Sequence, residues 1–397
     1  MTQSIVIIGG GLAGYALATA LRKASADIAL TVISEEAYAP YDRPPLSKAV
    51  LLADEPAPPY LLPPEAWAER SIALLLNSRV AEINRAERVV VLQSGQTLAY
   101  DQLILATGGS PRRLAVPGAE HVSYLRSFED ALAIRQNLKA GSSLVCIGAG
   151  VISLELASVA RDLGVNVHVV EATSSVMGRL LPAPEREFFH AVHVERGVAF
   201  HFNAGLSSIE AREASYQVVL ADGRALEADL IVAGIGMSPN TELATAAGLA
   251  VGRGIIVDTY GQTSDPAIYA LGDVAEFFHD GSKTHAMLET WYNAMDHAAA
   301  MAKTLSGTPT VYAPTTRFWT DQFGRNFQMA GNAALATQVV EEGDRAEGKF
   351  SVLYLNDDGV IVFAMSADDP RRLRMALKSI QAGEVYGDLS KAKRLNS

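Results

Sequence analysis

Two glycine-rich turns in this 397-residue chain have the composition and spacing to hold a pyrophosphate. The first is Gly9-Gly10-Gly11-Leu12-Ala13-Gly14 and the second is Gly148-Ala149-Gly150-Val151-Ile152-Ser153. In such a turn the first glycine makes the tight reversal, the second lets backbone approach the phosphates, and the third gives helix and strand clearance to pack. The phosphates then rest on free N–H groups at a helix N-terminus, where the helix dipole favours negative charge. About twenty residues after each turn comes a carboxylate able to accept hydrogen bonds from ribose hydroxyls, Glu35 and then Glu171. Glu171 would also repel a 2'-phosphate, and the following Ala172-Thr173-Ser174-Ser175 offers no adjacent arginine. The second turn is therefore expected to take NADH rather than NADPH.

The second turn departs from the pattern at Ser153, where clearance normally requires glycine or alanine. A hydroxymethyl is expected to shift the helix slightly without blocking the phosphates, its hydroxyl bonding back to the preceding turn. Cys146, in the strand entering this turn, is the single cysteine. One cysteine excludes an intrachain disulfide and any Cys-x-x-Cys redox or zinc pair, and its apolar neighbours make it a buried structural thiol. His190 and His193 stand three apart on an expected helix with His201 nearby. No cysteine or clustered carboxylate completes that set, so it reads as a solvated helix face, and no metal is expected. A Gly-x-Ser-x-Gly nucleophile elbow is absent.

The elements that must position these turns are written around them. Ser4 to Ile8 is a short apolar run of the buried parallel-strand kind, and a helical Ala/Leu pattern runs from the first turn to Lys23. Ala29 to Ile33 then leads into Glu35. The same βαβ grammar returns in Ser143 to Ile147, a helix to Leu163, and Val165 to Val170 leading into Glu171. Even the exits are paired, Asp101 to Gly109 in one case and Asp229 to Gly236 in the other. A polar hairpin is expected from Ser78 to Leu98. After Pro314 come short strand-like runs at Gln328–Ala330, Phe350–Leu355 and Val360–Ala364, then a helix after Asp369. The expected fold is α/β, with two Rossmann-like nucleotide-binding domains, one inserted in the other, and a C-terminal α+β domain. The expected boundaries are 1–112 and 240–313 for the first nucleotide domain, 113–239 for the second, and 314–397 for the last.

Composition agrees with a globular protein: 49% of residues are hydrophobic and 19% charged. The net charge of −11 supplies no field for nucleic acid or an anionic membrane. The basic gathering of Arg371, Arg372, Arg374, Lys378, Lys391, Lys393 and Arg394 reads as a solvated helix face and tail. No cleavable leader or bilayer-length apolar run is seen, so a cytoplasmic location is expected, with monomer and dimer both left open.

Three strings carry a resemblance: Tyr41-Asp42-Arg43-Pro44-Pro45-Leu46-Ser47-Lys48, Ile268-Tyr269-Ala270-Leu271-Gly272-Asp273, and Trp319-Thr320-Asp321-Gln322. Together they resemble the FAD- and NADH-dependent ferredoxin reductases of Rieske-type aromatic-ring oxygenases, of glutathione reductase-like fold, whose wider family includes putidaredoxin and rubredoxin reductases. The resemblance runs through essentially the whole chain. It implies FAD contacts at Gly9, Gly11, Ala13, Gly14, Glu35, Arg43, Lys48, Ala106, Thr107, Gly108, Arg126, Asp273, Glu289 and Trp291. It implies NADH contacts at Gly148, Gly150, Val151, Ile152, Glu155, Glu171, Arg179 and Gly236. Lys48, paired with Glu155, would stabilise charge on the flavin, and Trp319 would stand between flavin and redox partner.

The implied activity is electron transfer from NADH through FAD to a small iron-sulfur protein, a 2Fe-2S ferredoxin. Residues 40–52 hold no cysteine, which removes the disulfide-reductase and thiol-peroxidase readings. A rubredoxin or monodehydroascorbate-type reductase, and a redox sensor with little turnover, are the alternatives. Arg317, Arg325 and the C-terminal basic residues are the expected landing surface for an acidic ferredoxin. Met287, where relatives often carry arginine, and Ala364-Met365-Ser366-Ala367, lacking a common asparagine, depart from the family pattern.

Overall fold

The computed structural model describes residues 3–279 and 284–395. The chain gathers into two compact units. One comprises the chain through Asp42, Pro58–Ser110 and Ser238–Thr316; the other comprises Arg43–Ala57, Pro111–Met237 and the chain from Arg317 onward.

The first unit is built on a five-stranded parallel sheet in the spatial order Ile268–Ala270, Gln102–Leu105, Ser4–Ile8, Ala29–Ile33, Ile72–Leu75. Alternation along Ser4–Ile8 sends Ile5 and Ile7 to one face, into a core with Leu17, Leu21, Ala298 and Met301 from the helices Leu12–Ala24 and Trp291–Leu305. Val6 and Ile8 enter a second core on the other face, with Val90, Leu103 and Phe277. Because both faces are covered, the strand reads as an unbroken apolar run. Each such side chain contributes roughly 1.5–3 kcal/mol on burial. The segment expected as a hairpin forms a three-stranded antiparallel sheet, Val80–Asn84, Val89–Leu92 and Thr97–Ala99, which closes the second core.

The second unit contains a four-stranded parallel sheet, ordered Ala199–His201, Asn166–Val170, Ser143–Ile147, Leu230–Ala233. It also contains a six-stranded sheet whose members Arg317–Gln322, Arg325–Gly331, Ile361–Ala367, Lys349–Leu355 and Gln338–Asp344 pair antiparallel in that order. The helix Pro370–Ala382 packs on this sheet through Leu373 and Ala376. Its ends are coded locally. The Asp369 side chain accepts from the Arg372 N–H, proline occupies the first turn, and Gly383 closes the helix at φ 65°. Among the described residues, no helix is long and apolar enough to cross a membrane. The α/β architecture is the one the sequence pattern indicated.

Candidate functional site

Each glycine turn sits between a parallel strand and a helix, and neighbouring backbone explains its glycines. A Cβ on Gly9, at φ 122°, would lie 2.1 Å from the Ala106 carbonyl oxygen, and one on Gly14 would lie 2.1 Å from the Gly9 oxygen. A Cβ on Gly11, by contrast, would meet nothing within 4 Å among the described residues. Gly11 is the N-cap of the Leu12–Ala24 helix, which has no side-chain cap and no acidic residue in its first turn. Gly150 stands in the same position before the helix Val151–Asp162, again with neither. The helix Phe128–Asn137 shows the alternative, with a Ser127–Asp130 capping box and Glu129 beside it. Two uncapped helix starts with glycine at the cap and open space before Gly11 fit groups whose phosphates would take those N–H bonds.

Around the first turn, Thr107 Oγ1 donates to the Asn240 carbonyl at 2.8 Å, and Asn240 Nδ2 donates to the Thr107 carbonyl at 2.9 Å, fixing the Ala106–Gly108 segment. Gly272, at φ 74°, brings its backbone so near Ala13 that an added Cβ would lie 2.9 Å from the alanine methyl. The Gly272 N–H points at His297 Nδ1, 3.4 Å away, and burial pushes the His297 pKa down to about 3. Asp273 follows in the turn Gly272–Val274. Glu35 is exposed, 3.9 Å from Arg79, and both line a cleft of about 400 Å³ with Asn77, Ser78 and Gln93. Trp291 Nε1 donates to Asp42 at 2.8 Å, while Glu289 is exposed just before the Trp291–Leu305 helix.

In the second turn, Glu171 already has work. One carboxylate oxygen accepts from the Ala149 N–H at 2.8 Å, and the other accepts from the Thr173 N–H and hydroxyl, each at 2.8 Å. Ser153 is buried, its Oγ 2.4 Å from where a Cβ on Gly234 would stand. Gly236, at φ 97°, and Ile152 are exposed, as is Arg179. Cys146 is buried in the strand before the turn, where burial pushes its thiol up to about 12.

A dense polar arrangement in the second unit surrounds Lys48 and Glu155. The proline pair opens the short turn Pro44–Ser47 and delivers Lys48 at its end. Lys48 Nζ lies 2.9 Å from Glu155 Oε2, 3.7 Å from Asp321, and donates to the Pro44 carbonyl at 3.1 Å. Glu155, only 3% exposed on the Val151–Asp162 helix, also accepts from Ser47 Oγ at 2.5 Å. Its other oxygen accepts from Thr320 Oγ1 at 2.9 Å and from the Asp321 N–H at 3.2 Å. A buried carboxylate so supplied is held in one orientation, and removing one partner of such a pair costs on the order of 3–5 kcal/mol. Trp319 joins through Asp321, to which its indole N–H donates at 3.2 Å. The Arg43 guanidinium donates to the Arg126 carbonyl.

The structure thus brings Lys48, Glu155 and Trp319 into one network. Ser47, Thr320 and Asp321 complete it, although nothing in the sequence pattern assigned them a role; their only signal was membership of the same strings. One expectation needs correction. His193 is not on a solvated face: it is fully buried, bonded through Nε2 to Gln322 Oε1 at 2.8 Å, with its pKa pushed down to about 4 by burial.

Comparison with known proteins adds to this geometry. The pyridine nucleotide-disulphide oxidoreductase family matches residues 3–298, and the reductase C-terminal family matches residues 317–391. The anthranilate 1,2-dioxygenase system ferredoxin–NAD(+) reductase component of Burkholderia cepacia is 38% identical over 383 residues, 96% of this chain and 94% of that protein. The rubredoxin-NAD(+) reductase of Pseudomonas putida is 40% identical over 333 residues, 83% of this chain and 86% of that protein. A chain from the crystal structure of the covalent putidaredoxin reductase–putidaredoxin complex superposes with a TM-score of 0.90 at 34% identity, covering 96% of this chain and 93% of that one.

Proposed function

Because the chain belongs to the pyridine nucleotide-disulphide oxidoreductases and carries a reductase C-terminal domain, we propose that it is an NADH-dependent flavoprotein reductase. Its electrons go to a 2Fe-2S ferredoxin that feeds an oxygenase. The observation that carries this reading is the Lys48–Glu155 pair, present in a chain whose single thiol is sealed in a strand. A dithiol route has no second thiol to use.

Bound FAD supplies the chemistry of accepting a hydride from NADH and releasing electrons singly. The chain's residues bind, orient and tune. The first turn, Gly9, Gly11, Ala13 and Gly14, offers its uncapped helix to the FAD pyrophosphate, and Glu35 accepts from the adenosine ribose. Arg43, Ala106, Thr107, Gly108, Arg126, Asp273, Glu289 and Trp291 hold the remainder. Lys48, aimed by Glu155, would stabilise negative charge that develops on flavin reduction. The second turn, Gly148, Gly150, Val151 and Ile152, takes NADH with Arg179 and Gly236. Glu171 serves twice there, bracing the Ala149 N–H and receiving the ribose hydroxyls.

The test is kinetic. NADH bleaches the flavin of the purified holoprotein, and adding a 2Fe-2S ferredoxin then supports cytochrome c reduction. Lys48→Met and Glu155→Gln each slow NADH-dependent flavin reduction tenfold or more, roughly, and move the flavin potential to more negative values. If both quantities stay at wild-type values, the pair is a structural ion pair and this reading of it is lost. The similarity to rubredoxin reductases favours a second acceptor, so rubredoxin is run beside ferredoxin. A preference for rubredoxin would reassign the partner while leaving the flavin chemistry intact.

A further inference from the structure

We propose that Thr320 is a positioning residue for the Lys48–Glu155 pair, held in its donating orientation by Gln322 and His193. This rests on the reading of that pair given above and extends it to the side chains behind Glu155.

Glu155 Oε2 faces Lys48 Nζ at 2.9 Å and Ser47 Oγ at 2.5 Å, so the side of the carboxylate that meets the ammonium is fixed only if its other oxygen is also held. Thr320 Oγ1, 2.9 Å from Oε1, is the side chain that does this, and it is fully buried. A hydroxyl has one proton to give, and by itself it can rotate to give it elsewhere. Here its lone pair is claimed. Gln322 Nε2 donates to Thr320 Oγ1 at 3.0 Å, which leaves the hydroxyl proton for Glu155.

The amide of Gln322 is in turn fixed from behind. Its Oε1 faces His193 Nε2 at 2.8 Å, and a carbonyl oxygen can only accept, so the imidazole proton sits on Nε2. Among the described residues His193 Nδ1 is buried with no hydrogen-bond partner, which suits a bare lone pair far better than a stranded N–H. The reverse arrangement would turn the Gln322 oxygen toward Thr320, draw the hydroxyl proton away from Glu155, and leave a buried N–H on Nδ1 unpaired. Donation therefore runs one way, from His193 to Gln322 to Thr320 to Glu155, and ends on the only anion of the series. Gln322 is 1% exposed and His193 fully buried, so water does not compete for any of these bonds. The run has no function in packing alone, since apolar side chains of the same volume would fill that space without needing partners.

The experiment uses the FAD-loaded protein and NADH. Thr320→Val, which keeps shape and removes the hydroxyl, should slow flavin reduction at saturating NADH about tenfold while leaving the half-saturating NADH concentration unchanged. It should also shift the flavin midpoint potential to more negative values, and Thr320→Ser should restore both. Gln322→Glu leaves Thr320 in place but offers its hydroxyl an acceptor, and it should reproduce the loss; it decides the matter should the valine variant not retain FAD. Wild-type rate and potential in Thr320→Val and Gln322→Glu, beside a slowed Lys48→Met, would overturn the positioning role and leave the pair's function standing. Failure of Thr320→Ser to restore the potential would overturn it as well, because a structural defect does not depend on the hydroxyl. If Lys48→Met is itself without effect, the underlying reading fails instead, and the two failures are told apart in one series.

Discussion

The first and second glycine turns have the same strand, helix and following carboxylate, yet they solve the problem of clearance differently. In the first, the helix start is pressed against its own turn: a Cβ on Gly14 would stand 2.1 Å from the Gly9 oxygen, which is backbone and cannot step aside. In the second, the corresponding position is Ser153, and the missing space is supplied across the gap by Gly234, after the strand Leu230–Ala233. Clearance belongs to a pair of facing positions, and either member of the pair can be the small one. A motif that reads along one strand-turn-helix records only half of that condition.

The largest effect that separates the turns comes from adding one methyl to each. Gly14→Ala drives a Cβ into a backbone carbonyl, so the helix must move and the uncapped N–H groups move with it. We expect roughly 4 kcal/mol or more of destabilisation and a protein that purifies without flavin. Ser153→Ala removes an atom from an occupied site and is expected to change stability by less than about 1.5 kcal/mol. Flavin content and thermal midpoint measure both. A yellow, stable Gly14→Ala protein would show the two turns to be equally tolerant and end the comparison.

Much of this was legible in the residues. The strands Ser4–Ile8 and Ser143–Ile147 are apolar after their opening serines because both faces are covered, and such runs declare themselves. The strand Arg317–Gln322 does not, because its pattern is inverted. Its buried positions are Thr320 and Gln322, while Phe318 and Trp319 are only half-buried. The polar residues point inward because Glu155 and His193 are there to meet them, and those partners lie 165 and 129 positions away in the chain. No local period carries that information. The same cause hid His193, whose spacing on a helix suggested solvent but whose neighbour in space is Gln322. Lys48 and Glu155 were found through the family resemblance, whereas Ser47, Thr320 and Asp321 became partners only once the fold had joined them.

A smaller effect sharpens the comparison at the facing position itself. Gly234→Ala places a Cβ 2.4 Å from Ser153 Oγ, the tip of a buried side chain. Overpacking of this kind costs roughly 1–3 kcal/mol, and the NADH needed for half-saturation should rise while FAD content stays complete. Adding Ser153→Gly should return most of the loss, giving a coupling of about 1–2 kcal/mol between the two sites. Simple additivity in that double variant would mean that the two residues do not share the space, and the account of the second turn would have to be rebuilt around the Gly234 backbone alone.

The smallest effect concerns the strands that enter the turns, where Cys146 stands just before Ile147 and Gly148 as Ile7 stands before Ile8 and Gly9. Cys146 is fully buried between the strands Asn166–Val170 and Leu230–Ala233, with its thiol pushed up to about 12 by burial. In such a place it acts as a small apolar side chain, since the nucleophilic thiolate is scarcely formed near neutral pH. Cys146→Val should therefore alter stability by less than about 1.5 kcal/mol and leave both NADH oxidation and ferredoxin reduction at wild-type rates. A thiol reagent should modify the native protein only as fast as the strand opens, which makes Cys146 a reporter of unfolding in the second unit and gives it no part in electron transfer. Fast labelling of the folded protein, or loss of turnover in Cys146→Val, would show that this strand is not the sealed equivalent of Ser4–Ile8 and would restore the thiol to the chemistry.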